Sequence, residues 1–544
     1  MFKLDALNGF VALGVLFFTG LVLLYSSKFM QKKPQLLQYY GCIVLSAIAS
    51  LAVVLANNLI LLLAAWGFLG LTLYLLINLA GPEAAELAKK SFIIVGGTDA
   101  LMLLGIGIIY ALTGTFQLDK IRLEINSFPA VTAYLCIAAA CFAKAGLMPF
   151  HSWIPDCAQK APLPVVAFLP ASLDKLLGIY LLARLSLNLF IMNNAMNALL
   201  MLMGAFTILA AVMMALVQHN LKRLLGYHAV SQVGYMVLGI GTGNPIGIAG
   251  GIFHMLNHAV YKSCLFFTAG SVEYRARTSE LDELGGLAKF MPLTYISCLV
   301  ASLSISGVPP FNGFVSKWMV YQGLISRLQS NGPGLQAMIS VFCLTVAMFG
   351  SGLTLASFMK VLHAVFLGAA PEAKPKPQGE VNWQMWLPCI ILAITCVVFG
   401  VFAYQIPLKM FIFPAIGGVA FLGSWQAVVS TALVTSGLIL GFWIFKLQGA
   451  KPALRQDAAF VGGESIDLSA SRVTGLEFYN SVRDYGILKN IYRKAEAGFF
   501  DFYRQAEKLS FIPKIFQRLH NGALPTYLAW ILLGAVGLML LLVK

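Results

Sequence analysis

Charge is scarce in this chain. Asp, Glu, Lys and Arg make up 11% of its 544 residues, less than half the roughly 25% of an ordinary soluble domain. That shortage excludes a water-soluble globular protein. With 59% hydrophobic residues and a mean hydropathy of +0.82, the chain needs lipid as its solvent. Paired cysteines are missing too. The nine cysteines stand singly, most of them inside apolar runs, as at Cys42, Cys136, Cys264, Cys343 and Cys396, and no Cys-x-x-Cys occurs. Iron–sulfur and structural zinc sites are built on such pairs, so this chain is expected to hold neither. No Gly-x-Gly-x-x-Gly and no P-loop is present, so no nucleotide site is expected. Redox chemistry coupled to this chain would belong to its partners. Acidic residues are the scarcer sign, 22 against 37 basic, for a net charge of +15. The basic residues are scattered over short loops and one C-terminal segment, which suits anionic lipid head groups and not nucleic acid.

What the chain has in abundance is apolar runs of about 20 residues, the length that crosses a hydrocarbon core of about 30 Å. About fourteen are expected, the clearest at 10–27, 40–56, 59–79, 92–112, 198–218, 246–272, 337–366, 386–404, 427–445 and 524–543. The first has no small-residue cleavage site behind a basic segment and reads as a retained span. The expectation is an all-α polytopic membrane protein with a core over 1–445, a polar stretch over 446–523 and a membrane anchor over 524–544. Within the polar stretch Leu488, Ile491, Tyr492, Ala495, Phe499, Phe502, Tyr503, Ala506 and Leu509 recur at helical spacing, with Lys489, Arg493, Lys494 and Glu496 on other faces. This predicts an amphipathic helix lying along the bilayer surface, which Gly486, Gly498 and Pro513 can bend or interrupt. A solvated hairpin tied by the final span is the plainer alternative.

A pentapeptide recurs in part: GLMPF at 146–150 and GVPPF at 307–311, each in an interrupted apolar segment beside a lysine. Five spans separate the two by our count, and an odd number reverses direction. Two inverted five-helix repeats with broken helices are therefore expected, over about 40–184 and 198–328, the arrangement in which transporters line an ion path.

Charges inside apolar runs point the same way, since each costs about 2.5–3.5 kcal/mol at the bilayer centre. Asp99 lies in 92–112, Lys144 follows 130–142, Asp174 and Lys175 lie in 165–182, and Lys317 follows the second break. Lys360 and His363 near the end of another span are secondary candidates, as are Asp174 and Lys175. Adjacent in sequence, Asp174 and Lys175 face different ways on a helix, so each is expected to meet a partner on another helix. His254, His258 and Lys262 are spaced i, i+4, i+8 and share one helix face, each step climbing about 6 Å. Such a file of titratable groups suits a proton relay; buried residues hydrogen-bonding between helices are the plainer reading for any one histidine.

Four longer stretches carry a family resemblance: AKAGLMPFHSWIPDC (143–157), NLKRLLGYHAVSQVGYMVLGIG (220–241), HMLNHAVYKSCLFFTAG (254–270) and SGVPPFNGFVSKW (306–318). In this order the chain resembles the antiporter-like membrane subunits of respiratory complex I, membrane-bound hydrogenases and Mrp-type cation/proton antiporters. The resemblance implies Lys144 as the first key lysine, His254, His258 and Lys262 as the central relay, and Lys317 as the terminal lysine. FVGGE (460–464) and the stretch 477–503 look most like the large membrane subunit of energy-converting (Ech-type) hydrogenases. Implied with it are an inner-membrane location, other membrane subunits, and a peripheral redox arm that carries iron–sulfur clusters and a nickel–iron site or flavin. A quinone-linked complex, a free-standing antiporter, sodium as the ion, and a structural anchor that has lost pumping are the rivals. The chain departs from the family pattern where a glutamate usually follows tryptophan: here Gly67 follows Trp66. Asp99, in GGTDALMLLGIG (96–107), is expected to replace it as partner of Lys144. Only 66 residues precede Gly67, so about two N-terminal spans of the family's usual pattern are expected to be missing.

Overall fold

Short polar residues start the helices. Asp5, Asn58, Ser127, Asn193, Asn220 and Asn244 each accept a backbone N–H of the first turn of the helix they precede, satisfying donors that lipid cannot. The computed structural model describes residues 2–330, 332–368, 379–417, 427–447, 482–508 and 524–542. Two compact units result, Met1–Tyr485 and Gly486–Lys544.

In the first unit α1 (Ala6–Phe29), α2 (Leu36–Leu55), α3 (Leu59–Asn78) and α4 (Pro82–Thr113) precede the first broken helix, α5 (Phe128–Ala145) and α6 (Trp153–Lys160). Next come α7 (Leu163–Phe168) and α8 (Asp174–Arg184), joined through a π-turn at Leu169–Leu173. There Pro170 interrupts the ladder, and the Ser172 hydroxyl takes the Ala167 and Phe168 carbonyls at 2.9 and 2.5 Å. α9 (Asn194–Leu216), α10 (Leu221–Gly241) and α11 (Pro245–Ala276) lead to the second broken helix, α12 (Pro292–Ser306) and α13 (Asn312–Ser330). α14 (Leu335–Leu362), α15 (Trp383–Val401), the single turn α16 (Phe413–Ala415) and α17 (Ala427–Leu447) complete it.

Both breaks end on a left-handed glycine, Gly146 and Gly307, each at φ 81°, a conformation other residues enter at a cost. The breaks run in opposite directions. One end of the bundle, the first face, gathers α6 and the starts of α4 and α10 through Lys90–Asp156 (2.8 Å) and Arg223–Asp156 (3.9 Å). The end of α11 joins them through Lys222–Glu273 at 3.1 Å. The opposite, second face is tied by the Arg184–Asp5 pair, by Lys3–Asp119 at 3.2 Å and by a two-residue parallel strand pair at Leu123–Glu124 and Phe190–Ile191. α5 thus leaves from the second face and α12 from the first. Counting five crossings from α9 closes the second repeat with α14, beyond residue 328.

Among the described residues nine spans are long and apolar enough to cross a membrane, with Leu163–Leu189 counted as one. The run at 246–272 is helical, as α11, yet not among the nine, because it is polar and has no lipid face: every residue from Ile246 to Val272 is buried. α10 is likewise enclosed except at Arg223. A helix shielded from lipid tolerates polar side chains facing one another.

In the second unit the expected amphipathic helix is interrupted at one of its glycines, giving α18 (Gly486–Glu496) and α19 (Phe502–Lys508). Gly498, at φ 76°, ends the first, with the Phe499 N–H closing onto the Lys494 carbonyl. α20 (Leu524–Leu542) follows. FVGGE, Pro513 and most of 446–523 lie outside the described residues.

Candidate functional site

Lys144 occupies the last turn of α5, against the break, and is 1% exposed. Its ammonium donates to the Trp66 carbonyl of α3 at 3.3 Å and stands 4.6 Å from the centroid of the Trp66 ring, a cation–π distance. Gly67, next to Trp66, leaves a gap that Asp99 of α4 fills. The Asp99 Oδ2 lies 4.0 Å from where a side chain at position 67 would begin. A carboxylate of α4 thus stands beside the position at which α3 carries none.

Asp99 is not the only acidic group near Lys144. Asp174, 1% exposed on α8, acts on the Lys144 charge more strongly, with Asp99 second. Beside the expected Asp99, a second carboxylate from a different helix therefore acts on Lys144. Asp99 Oδ1 and Asp174 Oδ2 accept no hydrogen bond from the described residues, so both act on it through space.

Lys175 turns away from Asp174 toward the middle of the molecule. Its Nζ is 3.4 Å from where a side chain at Gly146 would begin and 5.7 Å from the Trp153 ring centroid. It acts electrostatically on both His258 and Lys262, and so links the first half to α11.

His254, His258 and Lys262 are all 0% exposed along α11. Lys262 donates to the Leu225 carbonyl of α10 at 2.7 Å. Both His258 ring nitrogens are buried without a hydrogen bond, while His254 is fully engaged, by the Ser316 hydroxyl at 2.8 Å and by Gln232 Oε1 and the Tyr261 hydroxyl at 3.2 Å each. Asn257 and Asn312 bond reciprocally at 2.9 Å and fasten α11 to the start of α13. Lys317 on α13 is 2% exposed, donates to the Ile305 carbonyl at 2.8 Å and stands 4.6 Å from the Tyr235 ring centroid. From there hydroxyls continue: Tyr235 to Ser351 at 2.9 Å and Ser351 to Tyr321 at 2.7 Å.

The structure thus brings Asp99, Lys144, Asp174, Lys175, His254, His258, Lys262 and Lys317 onto one buried polar axis. Lys360 lies off it, donating to the Leu216 and Gln218 carbonyls at the end of α9 at 2.6 and 2.9 Å. His363 is exposed and stands outside it. Sequence reasoning passed over His228, Gln232 and Tyr235 of α10, though their i, i+4, i+7 spacing marks one face of a helix. No group of three His, Cys, Asp or Glu side chains fit to hold a metal occurs among the described residues.

Two inverted broken helices about a buried line of lysines, histidines and carboxylates define a multi-pass membrane protein of the kind in which discontinuous helices line an ion site. The chain belongs to the NADH:quinone oxidoreductase/Mrp antiporter transmembrane family, whose model matches residues 56–348 and so contains all four motifs noted above. It is 31% identical over 511 residues to the Na(+)/H(+) antiporter subunit A1 of Staphylococcus epidermidis, covering 86% of this chain and 63% of that one. With subunit A1 of Staphylococcus haemolyticus it shares 34% over 422 residues, covering 73% and 52%. The chain therefore spans between about half and just under two thirds of the length of these curated relatives. The structure of the membrane-bound sulfane sulfur reductase (MBS), an archaeal respiratory membrane complex, contains a chain of the same fold. The TM-score is 0.81 at 23% identity, over 100% of this chain and 89% of that one. A chain of the Mrp complex from Dietzia sp. DQ12-45-1b gives 0.67 at 21%, over 76% and 86%.

Proposed function

We propose that this chain is a proton-translocating, antiporter-like subunit of a complex I-related membrane redox complex in the cytoplasmic membrane, of the energy-converting hydrogenase type. The observation that carries the reading is the buried axis from Lys144 to Lys317, which crosses from one inverted repeat to the other. Desolvated lysines exchange protons when a counter-charge moves. Asp174 and Asp99 hold Lys144 charged; when a neighbouring subunit's redox-driven change draws a carboxylate away, Lys144 passes its proton on. Lys175, His258 and Lys262 carry it laterally, His254 relays it, and Lys317 releases it past the buried Tyr235 toward the second face. Iron–sulfur clusters and a nickel–iron site or flavin belong to the partner subunits of a peripheral arm, and the amphipathic segment of the second unit braces the chain against its membrane neighbours.

A second reading, an Mrp-type sodium/proton antiporter subunit, is favoured by the curated relatives, both named as Na(+)/H(+) antiporter subunits. Supporting the redox complex is the likeness to a respiratory-complex chain over the whole of this chain, against 76% for the Mrp chain. Purification of the tagged chain with its partners separates the two: a nickel–iron hydrogenase pair supports the proposal, a quinone-site subunit points to a quinone reductase, and a set without redox subunits supports the antiporter. Lys317→Ala in the purified complex, reconstituted in vesicles, is expected to abolish translocation while assembly persists, since it removes a buried charge and leaves no group to hold the terminal proton. Full translocation by that variant refutes the assignment.

A further inference from the structure

The axis has a side branch that the relay does not use. His228 on α10 is 0% exposed, with Nε2 2.7 Å from the Ser357 hydroxyl of α14 and Nδ1 buried without a partner. The charges that reach it are Lys262, Lys317 and Lys360. Its ring lies 4.7 Å from the Phe358 ring, and the Lys262 ammonium stands 5.8 Å from the same ring, so the histidine and the central lysine flank one aromatic side chain.

On the other side of Ser357 the branch reaches the surface. Lys360 follows Ser357 by three residues on the same face of α14, about 4.5 Å along the helix. Lys360 is 6% exposed and bonds the carbonyls of Leu216 and Gln218, where α9 ends at the first face. His219 and Asp282 form an exposed pair there, 3.0 Å apart, and Asp282 acts on the Lys360 charge. Capping of α9 accounts for the bonds of Lys360 alone. It does not account for an enclosed imidazole with one nitrogen on Ser357 and the other turned into the protein. An imidazole takes a proton at one nitrogen and releases it from the other, and a serine hydroxyl both donates and accepts.

We propose that Lys360 is the outer end of a second access route, through which protons reach Lys262 from the first face by way of Ser357 and His228 without passing Lys144. The proposal rests on the relay reading above and deepens it: a chain whose first half lacks the α3 carboxylate loads its central lysine through its second half. Lys317 and the Tyr235–Ser351–Tyr321 hydroxyls then serve the opposite face.

The test uses the purified complex in vesicles, with proton uptake driven by an imposed potassium diffusion potential. Lys144→Ala is expected to leave a residual flux, and Lys360→Arg or His228→Phe added to it is expected to remove that residue. Arginine keeps the charge and the bonds to the α9 carbonyls but does not release its proton, so loss in Lys360→Arg separates proton passage from capping even if His228→Phe fails to assemble. No residual flux in Lys144→Ala, or a residue unchanged by Lys360→Arg, overturns the branch. Lys262→Ala distinguishes the levels: if it abolishes flux while Lys360→Arg has no effect, the relay stands and the branch falls. If Lys262→Ala transports normally, both fall.

Discussion

Replacing Asp174 by asparagine changes one atom and removes one of the two negative charges near Lys144. No direct ion pair joins them among the described residues, so the two interact through space. At an effective dielectric of about 20, unit charges about 5–8 Å apart interact by about 2–3 kcal/mol. Both groups are 1% exposed, so salt screens little of it. Losing that interaction makes the charged form of Lys144 less favourable in Asp174→Asn. Asp99 acts on the same lysine less strongly, so Asp99→Asn is expected to be the milder change. The assay is proton translocation by the reconstituted complex, normalised to the amount of subunit assembled. Asp174→Asn is expected to lose most of the flux and Asp99→Asn part of it, with Asp99→Glu retaining more. Full flux in Asp174→Asn together with complete loss in Asp99→Asn refutes the ranking and restores Asp99 as the sole counter-charge.

Gly67→Glu places a second carboxylate against Asp99, whose Oδ2 is 4.0 Å from the start of the new side chain. Repulsion between two carboxylates held in one low-dielectric site predicts impaired translocation, which Asp99→Asn in the same chain relieves; if the double variant is no better than the single, the two positions are not equivalent. Truncation after Tyr485 removes the second unit and is expected to weaken co-purification with partner subunits while the remaining helices keep their thermal stability; undiminished co-purification sinks the brace. Burial pushes the Asp5 carboxyl up, but the Asn8 and Leu7 N–H groups and the Arg184 guanidinium outweigh it and hold the carboxyl below its ordinary value. Its contribution to stability is therefore complete above the unfolded value of about 3.9 and is lost as the pH falls through the lower folded value. Melting of detergent-solubilised protein is expected to show that decline, and Asp5→Asn to flatten it.

The sequence spoke clearly where one helix carries the information. His254, His258 and Lys262 could be put on one face because their spacing alone fixes it, and GLMPF and GVPPF marked both breaks because glycine and proline act locally. Contacts between helices were less legible. Asp174 belongs with Lys144 of α5, and nothing in the spacing of α8 names that neighbour. Lys360 and His363 looked alike from the sequence, yet Lys360 lies within α14 and bonds the α9 carbonyls, whereas His363 begins the π-turn after α14 and is exposed. His228 was hidden because a lone histidine in an apolar stretch reads as an ordinary core residue until Ser357 appears beside it. Gly498 was legible as a possible interruption of the amphipathic segment, although the apolar periodicity passes through it without a break.

The enclosure of α10 and α11 also bears on how the chain is made. A helix with two histidines and a lysine in its middle, such as α11, does not reside in hydrocarbon alone at low cost: the lysine by itself carries about 2.5–3.5 kcal/mol. Its partners include α7, α8 and α10, synthesised earlier, and α12, α13 and α15, synthesised later. During synthesis α11 therefore waits at the insertion site, or leans on α8 and α10, until the second broken helix emerges to cover it. A ribosome stalled just after residue 276 should hold a nascent chain whose α11 is still accessible to a membrane-permeant crosslinker, and one stalled after α15 should not.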